Sequence, residues 1–184
     1  MAALNSLQWF NQPASWAVAD DRLTVTTATK SDFWRVTHYG FVRNNGHFCY
    51  ATISGSFTLQ ARITGHYTHL YDQAGLMVRQ DERHWIKCGI EYVHVVQQAS
   101  AVITREYSDW SVMPLHNNPE SIWLRLRREG ETVEFHYSLD GAQYTMLRLG
   151  YLSTADALQV GLMCASPDGP GFTVGFDQFS IVSA

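Results

Sequence analysis

The chain has 184 residues, 46% of them hydrophobic and 16% charged, with a net charge of −4. That length suits a single domain, 1–184, large enough to bury roughly 70% of its unfolded surface without disulfide or metal staples. The acidic balance speaks against nucleic acid and against a membrane surface as partner, since both call for a basic patch.

Residues 1–6 have neither the basic nor the apolar region of a signal peptide. No apolar run approaches the ~20 residues of a membrane helix, so a cytoplasmic protein is expected. An aromatic, proline-broken lead runs from Trp9 to Trp16. Residues 22–27 alternate and are β-rich, and Asp32-Phe33-Trp34-Arg35 mixes charge with aromatic rings. Asn44-Asn45-Gly46 carries turn chemistry. Residues 57–64 alternate cleanly, with Phe57, Leu59, Ala61 and Ile63 on one side. The segments 71–79 and 85–92 are joined by polar residues. Residues 101–107 read as another strand, and 109–118 as irregular. Residues 123–128 form an amphipathic strand with arginines on the wet face. Glu129-Gly130 and Asp140-Gly141 are turns between further strands, and 158–165 and 172–176 complete the set. No window shows a convincing helical period. Short strands with polar turns between them predict an all-β fold, a two-sheet antiparallel jelly-roll sandwich.

In 85–92, Ile86, Cys88, Ile90 and Tyr92 share one face, and Trp85, Lys87, Gly89 and Glu91 the other. The first set faces the core. The second is then an outward row of Trp, Lys and Glu, a row that strand stability does not require. An indole can stack on the C–H face of a sugar ring while Lys87 and Glu91 meet hydroxyls. The plainer account is a cross-strand ion pair beside a packed indole. Asp32 and Trp34 share a face if their segment is a strand, and Asp32 is equally a good turn residue. Asp72 either joins the site or caps backbone N–H groups of its loop. Tyr107, Asp109 and Trp110, on a loop leaving a strand, form either a ligand rim or a corner over the core.

Three cysteines, Cys49, Cys88 and Cys164, are odd in number and lack CxxC spacing, so they read as free thiols of a reducing compartment. His66 and His69 lie in a loop without the spacing of a zinc site. Neither a metal, a cofactor nor a catalytic residue is expected.

The motifs Asp32-Phe33-Trp34-Arg35, Asn45-Gly46-His47, Tyr71-Asp72-Gln73-Ala74-Gly75-Leu76-Met77, Trp85-Ile86-Lys87-x-Gly89-x-Glu91 and Tyr107-Ser108-Asp109-Trp110-Ser111 together resemble one family. It is a domain family of unknown function in the concanavalin A-like lectin/glucanase superfamily, one fungal member of which lends the name "regulation of enolase". The resemblance spans nearly the whole chain, and 75–87 is also similar to sandwich domains appended to glycoside hydrolases. It implies a lectin-like sandwich and a carbohydrate or small polar ligand. Lectin-like hydrolases often set their carboxylates on one strand as Glu-x-Asp-x-Glu, and no such run occurs here. A glycoside hydrolase is therefore the least favoured of three readings. The leading one is a binding module, and the second is a regulatory domain that meets a protein partner.

Overall fold

The structure, a computed structural model, describes residues 3–183. Among these the only helix is a 3-10 turn, Leu4–Ser6, and the rest is strands and their connections. In chain order the strands are β1 Gln8–Phe10, β2 Ser15–Ala19, β3 Arg22–Thr26, β4 Phe33–Arg35, β5 Val42–Asn44, β6 His47–Ser54, β7 Phe57–Gly65 and β8 Gln73–Arg79. There follow β9 His84–Val93, β10 Val96–Arg105, β11 Tyr107–Leu115, β12 Ser121–Glu129, β13 Thr132–Ser138, β14 Thr145–Tyr151, β15 Ala157–Ala165 and β16 Thr173–Ser183. Two seven-stranded antiparallel sheets form the sandwich. One has the order β1-β6-β15-β8-β9-β10-β11, the other β14-β13-β12-β7-β16-β3-β2. The small β4–β5 hairpin stands apart from both.

Period-two alternation builds the core between the sheets. On β7, Phe57, Leu59, Ala61 and Ile63 are buried, and Leu59 lies in register with Leu126 on β12 and Ile181 on β16. From the other sheet come Leu76 and Val78 of β8, Ile86, Cys88 and Ile90 of β9, and Val160 and Leu162 of β15. Each such side chain contributes roughly 1.5–3 kcal/mol of burial. The three cysteines are buried and unbonded.

Two local readings change. Residues 109–115, expected to be irregular, belong to the edge strand β11. Their polar composition and Pro114 obscure the pattern, and an edge is where a sheet tolerates proline. Arg128, expected on the wet face, lies on the core side of β12, where its guanidinium donates to the carbonyls of Gly55, Gly130, Ala155 and Asp156.

A second apolar cluster lies on the outer face of the first sheet. Phe33, Trp34, Phe48, Met77, Trp85, Val102 and Met163 are buried there, with Phe10, Tyr50 and Trp110 against them. They are buried because the segment 33–44, carrying β4 and β5, folds over this face. The cover determines the site.

Candidate functional site

The alternation predicted for β9 holds, but its outward row is not exposed. Trp85, Lys87 and Glu91 have relative exposures of 1%, 5% and 8%. Phe33, with no exposed surface, sits 6.2 Å from the Trp85 ring and seals that end of the row. The cover is anchored at its base. Asn45 accepts from the Asp32 N–H and donates to Lys30 O, both at 3.0 Å, and the Arg35 N–H donates to Ser108 Oγ at 2.9 Å. Arg35 also pairs with Glu82 and Glu106. At the tip, Val36 and His38 adopt left-handed conformations with φ of 59° and 66°. For a β-branched residue this is a genuine outlier, costing on the order of 1–3 kcal/mol. The turn is held by Val36 N–H to Phe41 O at 2.8 Å and Gly40 N–H to Val36 O at 2.7 Å. The Tyr39 and Tyr71 hydroxyls, hydrogen-bonded at 3.0 Å, tie the tip to the sheet.

A cavity of about 250 Å³ remains between cover and sheet. Asp32, Gln73, Lys87 and Glu91 form its floor, and Trp34, Tyr39, Phe41, Tyr71 and Trp110 its walls. Lys30, Arg43, Pro167 and Asp168 border the mouth. Gln73 faces Glu91 across the β8–β9 ladder, and the next pair on that face is Gly75 with Gly89. A Cβ on Gly89 would stand 2.1 Å from the Ala74 carbonyl oxygen. The glycine pair lets the strands approach and keeps side chains out of the middle of the floor.

The floor is a charged network. The Lys87 ammonium donates to Phe33 O at 2.8 Å and to Gln73 Oε1 at 2.5 Å, and lies 3.6 Å from Asp32 Oδ1. Asp32 Oδ1 also accepts the Phe33 N–H at 2.7 Å and Gln73 Nε2 at 3.3 Å. Glu91 Oε2 accepts Ser100 Oγ at 2.8 Å, and Ser100 Oγ in turn accepts the Trp110 indole N–H at 3.1 Å. Burial pushes the Glu91 carboxyl above the usual carboxylate range, against the opposing pull of Lys87, Ser100 and Trp110. The walls stand steeply to one another. Trp34 and Trp110 lie 6.4 Å apart at 89°, Tyr71 and Trp110 6.4 Å apart at 76°, and Trp34 and Tyr39 5.7 Å apart at 73°.

Of the nine residues the sequence singled out, Asp32, Trp34, Lys87, Glu91 and Trp110 line this cavity and four do not. Asp72 is fully buried, and its carboxylate accepts the N–H groups of Thr68 (3.0 Å) and His69 (2.9 Å) and Ser166 Oγ (2.6 Å). It organises its loop, while its neighbours Tyr71 and Gln73 reach the cavity. Trp85 lies under Phe33 and donates its indole N–H to Glu82 O at 3.2 Å. Tyr107 is 63% exposed, and Asp109 is drawn to Arg148 at 2.7 Å. Both stand on the opposite face of β11 from Trp110, as period two requires once the segment is a strand. The sequence reading missed Tyr39, Phe41 and Asp168, which lie in connecting segments without a motif. Among the described residues, no group of three His, Cys, Asp or Glu side chains could hold a metal ion. No helix there is long and apolar enough to cross a membrane.

Regulation of enolase protein 1 of Saccharomyces cerevisiae is 38% identical over 175 residues, covering 95% of this chain and 88% of that protein. The crystal structure of a functionally unknown protein from Saccharomyces cerevisiae, 37% identical, matches with a TM-score of 0.95 over 100% of this chain and 99% of that one. The carbohydrate-binding module CBM66 from Bacillus subtilis shares the fold at 15% identity, with a TM-score of 0.61 and 95% of both chains covered. An engineered GH43 glycoside hydrolase shares it at 17% identity and a TM-score of 0.74, over 97% of this chain and 38% of that enzyme. The fold is thus the jelly-roll sandwich expected from the strand pattern. With residues 9–184 matching its family model, the chain belongs to the family described as protein of unknown function, DUF1349.

Proposed function

We propose that the cavity under the 33–44 cover binds one small hydroxylated ligand of the carbohydrate class, without chemical conversion. The observation that carries this reading is the meeting of the Asp32 and Glu91 carboxyls with the Trp34, Tyr71 and Trp110 rings around one enclosure. Carboxylates accept from hydroxyls, and aromatic faces cover the apolar C–H side of a sugar ring. The volume lies just below the ~300–1,000 Å³ of drug-sized sites, which suits one ring better than a chain. A sandwich shared with a carbohydrate-binding module is consistent with this, at the level of fold. Three buried, unpaired thiols suit a reducing compartment, so we place the protein in the cytoplasm. The test is a calorimetric screen of monosaccharides, repeated on Trp110→Ala. Saturable binding that the variant loses supports the reading; its absence across the screen contradicts it.

A regulatory role through a protein partner is the second reading. It is favoured by the name of the yeast relative and by Tyr39, Phe41 and Val42, each more than a third exposed on the cover. Replacing Phe41 and Val42 with Ser would weaken such docking. A protein whose partners are unchanged by that double substitution does not use this surface.

A further inference from the structure

Within the floor network Glu91 differs from every other charged group. Asp32 has Lys87 at 3.6 Å, and Lys87 directs its ammonium to Asp32, Gln73 and Phe33. Among the described residues no Lys, Arg or His nitrogen lies within ion-pair distance of the Glu91 carboxylate, although the residue is more than nine-tenths buried. Ser100 engages Oε2 alone. With Glu91 ionised, the floor holds Lys87 against Asp32 and Glu91, one negative charge in excess. A buried carboxylate in that position is stable only with a partner or with a proton. Burial indeed favours the proton, and a cation brought by a ligand would remove that need.

The walls favour the same kind of ligand. Trp34 and Tyr71 each lie 6.4 Å from Trp110, at 89° and 76°, and all three rings line the enclosed volume. Ring faces attract ammonium groups, most strongly where water is excluded. At the mouth, Lys30, Arg43 and Asp168 are exposed, and Arg43 lies 5.1 Å from the Phe41 ring centroid. Their fields are screened by solvent far more than the field of the floor.

We propose that the cavity takes a hydroxylated primary amine, an amino sugar or amino polyol, with its ammonium seated against Glu91 inside the aromatic walls and its hydroxyls toward Asp32. This rests on the reading of the cavity as a carbohydrate-class site and adds the charge of the ligand to it. The test is calorimetric titration at neutral pH with three matched pairs: D-glucosamine and D-glucose, D-galactosamine and D-galactose, D-mannosamine and D-mannose. At least one amine should bind about 10-fold or more tightly than its neutral parent, a difference of about 1.4 kcal/mol. Glu91→Gln keeps an acceptor for Ser100 and removes the charge. In it the preference of amine over neutral parent should fall to about unity. If neutral sugars bind the wild type as tightly as their amines, or if the preference survives in Glu91→Gln, the assignment is overturned while the carbohydrate reading stands. If none of the six binds, both are overturned.

Discussion

Replacing Lys87 with Met tests whether the floor network is held by charge. Lys87 is 5% exposed, and its three contacts are all with groups that have lost water. Met restores most of the apolar stem but orphans the Phe33 carbonyl and Gln73 Oε1, each at about 1–3 kcal/mol. It also leaves the largely buried Asp32 without its cation, and breaking a buried pair from one side costs about 3–5 kcal/mol. These contributions overlap, so a total loss of about 3–5 kcal/mol is expected. For a chain of this size each kcal/mol moves Tm by about 2–4 °C, which predicts a fall of about 6–20 °C. Calorimetry and urea unfolding should agree, with the urea slope unchanged if only stability has moved. The double variant Lys87→Met/Asp32→Asn removes the stranded charge and should recover part of the loss. A fall below about 2 °C in the single variant, or no recovery in the double, would refute the reasoning.

Other consequences are equally direct. Because folding raises the Glu91 pKa, the folded state holds its proton more tightly than the unfolded chain, and the stability this confers is lost as pH rises from the ordinary carboxylate range through the folded value. Glu91→Gln should therefore match the wild type in acid and melt higher at neutral pH; paired Tm–pH curves that separate in the opposite sense would contradict this. Asp72→Ala, which strands two backbone N–H groups and Ser166, should cost about 2–4 kcal/mol while leaving the Trp34 and Trp110 indole resonances in place. A Tm unchanged by the substitution would contradict the capping role given to Asp72. Tyr39→Phe removes the hydroxyl contact with Tyr71, half-exposed and worth no more than about 1 kcal/mol, so stability should barely move. Amide hydrogen exchange in 36–41 should nonetheless quicken, and unchanged exchange would show that the hydroxyl pair does not hold the tip.

Strand positions were legible where one face is buried and the other half-wet, as in 57–64, because the pleat writes that contrast into alternate residues. They were illegible at 109–115, where an edge position relaxes the constraint on composition. Local pattern identified Trp85, Lys87 and Glu91 as co-facial, but it gave their exposure wrongly. Whether a distant segment of a dozen residues lies over a strand depends on packing such as Phe33 on Trp85, and nothing in 85–92 encodes it. In sequence, Tyr71, Asp72 and Gln73 are equally placed to reach a site at the start of β8. One residue of register separates the loop-capping group from the cavity-lining ones, and that register is settled by the ladder with Glu91. The cover turn at 36–40 is hard to read in sequence because two of its three left-handed residues, Val36 and His38, do not announce a turn, and Gly40 stands alone as a signal.

The central claim, that the enclosure beneath the 33–44 cover is a ligand site, is tested most directly by following the tryptophan indole N–H resonances while hexoses and hexosamines are added. Trp34 and Trp110 line the enclosure, whereas Trp9, Trp16 and Trp123 stand outside it. The account predicts saturable shifts of the Trp34 and Trp110 signals with those of Trp9, Trp16 and Trp123 unmoved. Shifts confined to the latter three, or none at all, would contradict it.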